Sequence, residues 1–318
     1  NPLPDPGRSL PVCWLEDAGV ARFGCIQGRR KAVRCGMHRR TLLLASLAAA
    51  CTPSLGTFNA LAPRDAGAGR VARDQPYGDR PRQKLDVYAP PEARSLPVIV
   101  FIYGGSWSSG DKNDYAFAGA ALASQGFVTV IPDYRLVPQV RFPDFVQDCA
   151  AAVRWAADHT AQYGGDASKI VLVGHSAGAY NTMMLALDAH YLAGAGVDPN
   201  AIRGAVGLAG PYDFLPFDVD ATRNAFGQAP DTALTQPVHF ARADAPPLLL
   251  LWGEADTTVG PRNLQGLDAA MRAVRGRVET KTYPGVNHVD IMLALSRPLR
   301  GRASTLADVT AFAQRVTA

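Results

Sequence analysis

The stretch Ile170-Val171-Leu172-Val173-Gly174-His175-Ser176-Ala177-Gly178 decides how this chain is read. Four consecutive apolar residues predict a buried strand over 170–173, and the run from Ala177 to Asp188 has a helical pattern. Between them a serine stands flanked by glycines two residues away on each side. A G-x-S-x-G run on a strand-to-helix turn lifts the serine hydroxyl clear of a sheet. The glycines remove Cβ atoms that would strike neighbouring backbone. The opening turn of the helix aims free N–H groups at a point where negative charge would develop. Ser176 is therefore the candidate nucleophile, and the N–H of Ala177 a candidate donor to an oxyanion.

Outward from this stretch, short apolar runs alternate with helical ones. Strands are predicted at Leu85–Tyr88, Pro97–Tyr103, Phe127–Ile131, Ala205–Leu208, Pro247–Trp252 and Val278–Tyr283. Helices are predicted at Tyr115–Gln125, Asp144–Tyr163, Arg262–Val274 and Ser304–Val316. The unbroken apolar runs fit strands covered on both faces. The alternation predicts an α/β fold, a mostly parallel central sheet with helices on both faces. In such sheets ligands bind beyond the carboxyl ends of the strands.

The remaining candidates fall just there. A serine needs a base, usually histidine, which needs a carboxylate to hold its tautomer. His288 follows the strand ending at Tyr283, on a loop containing Gly285. Asp256 follows the strand ending at Trp252; Glu254 and Asp290 are its rivals, Asp290 being read as a solvated loop charge. An oxyanion hole needs fixed backbone donors, and Gly104 and Gly105 in Tyr103-Gly104-Gly105-Ser106-Trp107 follow a central strand. Trp107 is a candidate substrate-binding residue that would either wall a pocket or brace the loop. His175 reads as a packed neighbour of the serine, and His159 and His190 as solvated. Asp133-Tyr134-Arg135 reads as structural, with Arg135 in an ion pair, and Gly110-Asp111-Lys112 as a turn with a helix cap.

From about Tyr77 to the C-terminus the chain resembles the α/β-hydrolase fold, and within it the carboxylesterase and lipase group with a His-Gly-Gly oxyanion loop. That group includes kynurenine-formamidase-like and acetyl xylan or feruloyl esterase-like proteins. The residues carrying the resemblance are Gln83–Tyr88, the Gly-Gly-Ser-Trp loop, Asp133-Tyr134-Arg135, the serine turn, Gly253–Asp256 and Asn287-His288. The resemblance implies an acyl-enzyme on Ser176, with His288 as base, Asp256 orienting it, and Gly104, Gly105 and Ala177 holding the oxyanion. It implies no metal and no organic cofactor. The expected substrate is a small or medium carboxylic ester. An arylformamide would use the same residues, and a non-catalytic binding module is the reading from another class. Where the group commonly has histidine before the glycines this chain has Tyr103, whose hydroxyl is expected to hold the loop in its place.

Composition and the chain's N-terminal region complete the reading. The net charge is +4, and residues 1–40, with eight Arg/Lys against three Asp/Glu, account for all the positive excess. The rest is close to neutral, without the basic footprint of a nucleic-acid binder. Residues 1–36 are expected to be upstream sequence translated through a misplaced start, or a disordered tail. Met37–Cys51, with His38-Arg39-Arg40 before the apolar run Leu42–Ala50, reads as an export signal to the bacterial periplasm. Cys51 is then either a lipidated membrane anchor or an unmodified residue after cleavage near Ala50. Residues 52–73 read as a linker and 74–318 as one domain, with a cap insertion at 210–243. The aromatics of that insertion would line an acyl site or merely pack it down. Cys149 lies on an apolar helical face and reads as core. No oligomeric state is read from the chain.

Overall fold

The structure is a computed structural model and describes residues 54–318. The leader, the export signal and Cys51 lie outside the described residues. Eight strands form one sheet: β1 (Gly69–Pro76), β2 (Lys84–Ala89), β3 (Leu96–Ile102), β4 (Val128–Pro132), β5 (Gly165–His175), β6 (Ile202–Leu208), β7 (Leu248–Gly253) and β8 (Val278–Tyr283). Their order is β1-β2-β4-β3-β5-β6-β7-β8. β2 runs antiparallel to both its neighbours, and every other pair is parallel. The helices among the described residues are α1 (Leu55–Leu61), α2 (Ala116–Ala123), α3 (Asp144–His159), α4 (Ala177–Leu187), α5 (Ala189–Gly194), α6 (Asp220–Phe226), α7 (Arg262–Ala273), α8 (Asp290–Leu293) and α9 (Thr305–Thr317).

The central strands are buried because helices cover both faces. α2 and α9 meet over one face, while α3, α4 and α5 pack together over the other. β3, β7 and the second half of β5 are nearly unbroken apolar runs, and Val98–Ile102 and Ile170–Val173 have no exposure at all. Fully burying each such side chain is worth roughly 1.5–3 kcal/mol. α3 turns Phe145, Cys149, Ala152, Val153 and Ala156 inward at helical spacing, so Cys149 is a core residue. α2 has apolar residues all round, and all eight of its residues are buried.

The linker reading of 52–73 is corrected. Within the described part, α1 and the first half of β1 occupy it. α1 is capped by Ser54, whose Oγ accepts from the Thr57 N–H at 3.2 Å. Phe58 packs edge-on against Phe117, with ring centroids 5.5 Å apart. β1 is a polar, mostly exposed edge strand with no apolar alternation to betray it. Charge ties it down: Arg70 pairs with Asp86 at 2.9 Å, and Asp74 with the buried Lys112 at 2.6 Å. No helix among the described residues is long and apolar enough to cross a membrane.

Candidate active site

Register brings the candidate residues together. Ile102 of β3 lies opposite Gly174 of β5, so Gly104 and Ser176 each stand two residues beyond, side by side. The contact is tight: a Cβ on Gly104 would lie 2.8 Å from the Ser176 Cβ and 2.9 Å from the His175 carbonyl. Only glycine fits there. Ser176 sits at φ 54°, ψ −124°, a strained conformation for a residue with a side chain. The flanking glycines permit the turn. A Cβ on Gly174 would be 2.3 Å from the Gly178 carbonyl oxygen, and one on Gly178 would be 2.0 Å from that of Ile102.

The serine hydroxyl lies 2.8 Å from His288 Nε2, and His288 Nδ1 lies 2.7 Å from Asp256 Oδ2. An ionised carboxylate can only accept, so Nδ1 carries the ring proton and donates to Asp256. Nε2 is then left to accept from the serine. The Asp256 side chain has no exposure, and its other oxygen accepts from the N–H groups of Thr258 (2.8 Å) and Val259 (2.9 Å). Burial pushes its pKa up, but the bonds from His288 and from these two N–H groups outweigh burial and hold it below the usual value. The two loops are joined as well: the N–H of Glu254 donates to the Tyr283 carbonyl and that of Ala255 to the Val286 carbonyl. Asn287 Oδ1 accepts from Val289 and Asp290, which fixes the start of α8 next to His288.

Among the described residues, no protein acceptor takes the N–H of Gly104, Gly105 or Ala177. The loop from Gly104 turns through three residues of positive φ, Gly105 (132°), Ser106 (53°) and Trp107 (57°). Free donors thus stand on a strained loop whose Gly104 abuts Ser176 and at the start of α4 directly after it, and such donors can stabilise a developing oxyanion.

Of the other candidates, Glu254 is exposed and bonded to Thr282. Asp290 is not a solvated loop charge: it opens α8 and pairs with Arg302 at 3.0 Å. Trp107 is corrected as a substrate-binding residue. It is 3% exposed, donates from Nε1 to Asn181 at 3.3 Å, and packs against Phe145, Tyr180 and Phe226. It braces the loop. In the insertion, Phe226 and Tyr212 are buried as packing, whereas Phe214 and Phe217 keep partial exposure. His159 and His190 are exposed. Arg135 makes a bidentate pair with Asp148, and Asp111 caps the turn at Asn113.

Sequence reading missed two parts. His175 Nε2 donates to the main-chain carbonyl of His288 at 2.8 Å, so this buried ring ties the serine turn to the histidine loop. Burial, and then the nearness of His288, pull its pKa down to about 3. Tyr103 does hold the loop, but through Asp133, at 2.5 Å, and Arg82, at 2.8 Å. Asp133 stood in a quoted motif; nothing in the sequence pointed to Arg82.

The ordered sheet, the serine turn and an acid and a histidine placed after β7 and β8 define an α/β-hydrolase-fold protein. The chain belongs to the BD-FAE family, whose family model matches residues 85–271. It is 30% identical to the isoprenylcysteine alpha-carbonyl methylesterase ICME of Arabidopsis thaliana, over 75% of this chain and 61% of that one. It is also 30% identical to the probable carboxylic ester hydrolase LipM of Mycobacterium tuberculosis, over 83% of this chain and 69% of that one. The chain thus spans about three fifths of the plant methylesterase's length. Esterase B of Lactobacillus rhamnosis has the same fold, with a TM-score of 0.72 at 22% identity, covering 87% of this chain and 93% of its own.

Proposed function

We propose that the chain is a serine hydrolase of small or medium carboxylic esters. The observation that carries this reading is the unbroken Asp256–His288–Ser176 hydrogen-bond chain at the carboxyl ends of the strands. Ser176 Oγ attacks the ester carbonyl while its proton passes to His288 Nε2. The oxyanion lies among the N–H groups of Gly104, Gly105 and Ala177. Collapse of the tetrahedral species expels the alcohol, which takes the proton from His288. Water, deprotonated by the same nitrogen, then frees the acid and restores the serine. Asp256 keeps its charge throughout and stabilises the imidazolium. The names of the relatives, a methylesterase and a carboxylic ester hydrolase, support ester rather than amide substrates.

The test is turnover of p-nitrophenyl esters of rising acyl length by protein beginning after Cys51, beside Ser176→Ala. Hydrolysis by the wild type that vanishes in the variant is expected. Folded wild type inert on every chain length contradicts the reading. The basic and apolar pattern of residues 38–50 further supports export, with Cys51 either lipidated or left unmodified after cleavage near Ala50. Cell fractionation and the mass of the mature N-terminus test that reading, and full-length protein retained in the cytoplasm would refute it.

A further inference from the structure

The loop Gly104–Asp111, which carries two of the three proposed oxyanion donors, hangs at both ends on one carboxylate. Asp133 Oδ1 accepts from the Tyr103 hydroxyl just before the loop, at 2.5 Å, and from the Lys112 N–H just after it, at 2.8 Å. Arg82 closes the arrangement from outside. Its Nη2 donates to the Tyr103 hydroxyl oxygen and to the Gly110 carbonyl, both at 2.8 Å, and its Nε donates to the Tyr134 carbonyl at 2.8 Å. Tyr134 in turn donates to the Tyr103 carbonyl at 3.0 Å. The Tyr103 ring is stacked between Tyr115 and Tyr134, 5.1 Å from each, and fills the space beneath Gly110, where a Cβ would lie 2.6 Å from it.

We propose that Tyr103, Asp133 and Arg82 are positioning residues for the oxyanion hole: together they clamp both ends of the Gly104–Asp111 loop and fix its free N–H groups beside Ser176. This rests on the serine-hydrolase reading. The need for a clamp is physical. Oxyanion donors lower a barrier only if they are aimed before the reaction starts. This loop carries Ser106 and Trp107 at positive φ, conformations that persist only where the surroundings over-determine them. Among the described residues none of the three clamp side chains hydrogen-bonds to Ser176 or His288, so their bonds act through the loop. The carboxylate at the centre is largely buried; burial raises its pKa, against the pull of the Tyr103 and Lys112 bonds. Arg82 pairs with it at 3.5 Å, the Lys112 ammonium also acts on it, and Asp111 is the like charge that helps raise its pKa.

The decisive variant is Tyr103→Phe, which removes the hydroxyl and keeps the stacked ring. The clamp predicts a fall in kcat of about 10- to 100-fold with KM within about twofold, somewhat less than the loss of a whole oxyanion donor. The rate at which a fluorophosphonate labels Ser176 should fall by the same factor. Asp133→Ala should match it, and Asp133→Asn, which keeps an oxygen for both donors, should recover most of the loss. The double variant Tyr103→Phe/Asp133→Ala should be no slower than the slower single, because the residues act as a unit. A folded Tyr103→Phe protein with unchanged kcat and unchanged labelling, whatever its melting temperature, overturns the clamp. Wild type that neither turns over esters nor takes the label removes the serine-hydrolase reading, and the clamp falls with it. Active wild type beside an equally active Tyr103→Phe removes the clamp alone.

Discussion

Replacing His175 with glutamine should flatten the acid side of the stability curve. In the folded protein the ring is buried and its pKa is pulled down to about 3, whereas in the unfolded chain it returns to the ordinary histidine value of 6.5. The sign follows from proton counting. Between these two values the unfolded chain binds a proton that the folded protein refuses, so stability drains away as pH falls. Each pH unit below the unfolded value costs about 1.4 kcal/mol. From pH 7.5 to pH 4.5 the sum is roughly 2–3 kcal/mol, set almost wholly by the unfolded value, since the folded ring is still neutral at the lower end. Above neutrality the residue contributes no pH dependence. Glutamine does not titrate and keeps an amide to donate to the His288 carbonyl. Urea unfolding of both proteins at pH 7.5 and 4.5 measures the difference directly. The variant should be the less stable at pH 7.5, having lost a fitted ring, yet should lose roughly 2–3 kcal/mol less than wild type on acidification. Parallel losses in the two proteins would refute the reasoning, because they would mean that His175 takes up its proton in the folded state.

Three further outcomes are expected. Asp256→Asn should lower kcat by about 10⁴-fold with the fold intact, since an amide favours the wrong tautomer of His288; a loss under tenfold in ester turnover contradicts the role given to it. Gly178→Ala drives a methyl to 2.0 Å from the Ile102 carbonyl oxygen, backbone that cannot rotate away. Overpacking of this kind costs about 1–3 kcal/mol or more, and thermal unfolding should fall accordingly while Gly285→Ala, with nothing within 4 Å of its Cβ, costs only its positive-φ strain. Cys149 has no exposure, and burial pushes its thiol well above the usual range; it should resist a thiol reagent in native protein and react once urea unfolds the chain.

The central strands were legible because burial on both faces leaves runs such as Pro97–Ile102 and Leu248–Leu251 with nothing polar in them. Strand edges were legible to within one or two residues except at the starts of β6, which begins at Ile202 rather than Ala205, and of β5, which begins at Gly165 rather than Ile170: the first residues of β5 carry no apolar run and pair only with the start of β3. β1 and α1 were not legible. β1 is held by pairing and by charge, through Arg70 and Asp74, and α1 is a short helix whose Ala, Gly and Pro surroundings read as linker. At the site, Ser176, Asp256 and His288 could be found because each follows a recognisable strand. Arg82 could not, because an arginine in a polar stretch carries no pattern, and its reach to Tyr103 exists only once β2 and β4 pair. Trp107 misled for a related reason: a large aromatic beside a glycine loop looks the same in sequence whether it faces a pocket or the core, and the partners that bury it, Phe145, Tyr180 and Phe226, come from three distant segments.

The measurement that tests the account most directly is fluorophosphonate labelling of the folded protein, followed by peptide mapping by mass spectrometry. One adduct per chain, on Ser176, formed by wild type and absent from His288→Ala at the same exposure, is the predicted result. An adduct on a different residue, or equal labelling with and without His288, would contradict the claim that the Asp256–His288–Ser176 chain makes this serine a nucleophile.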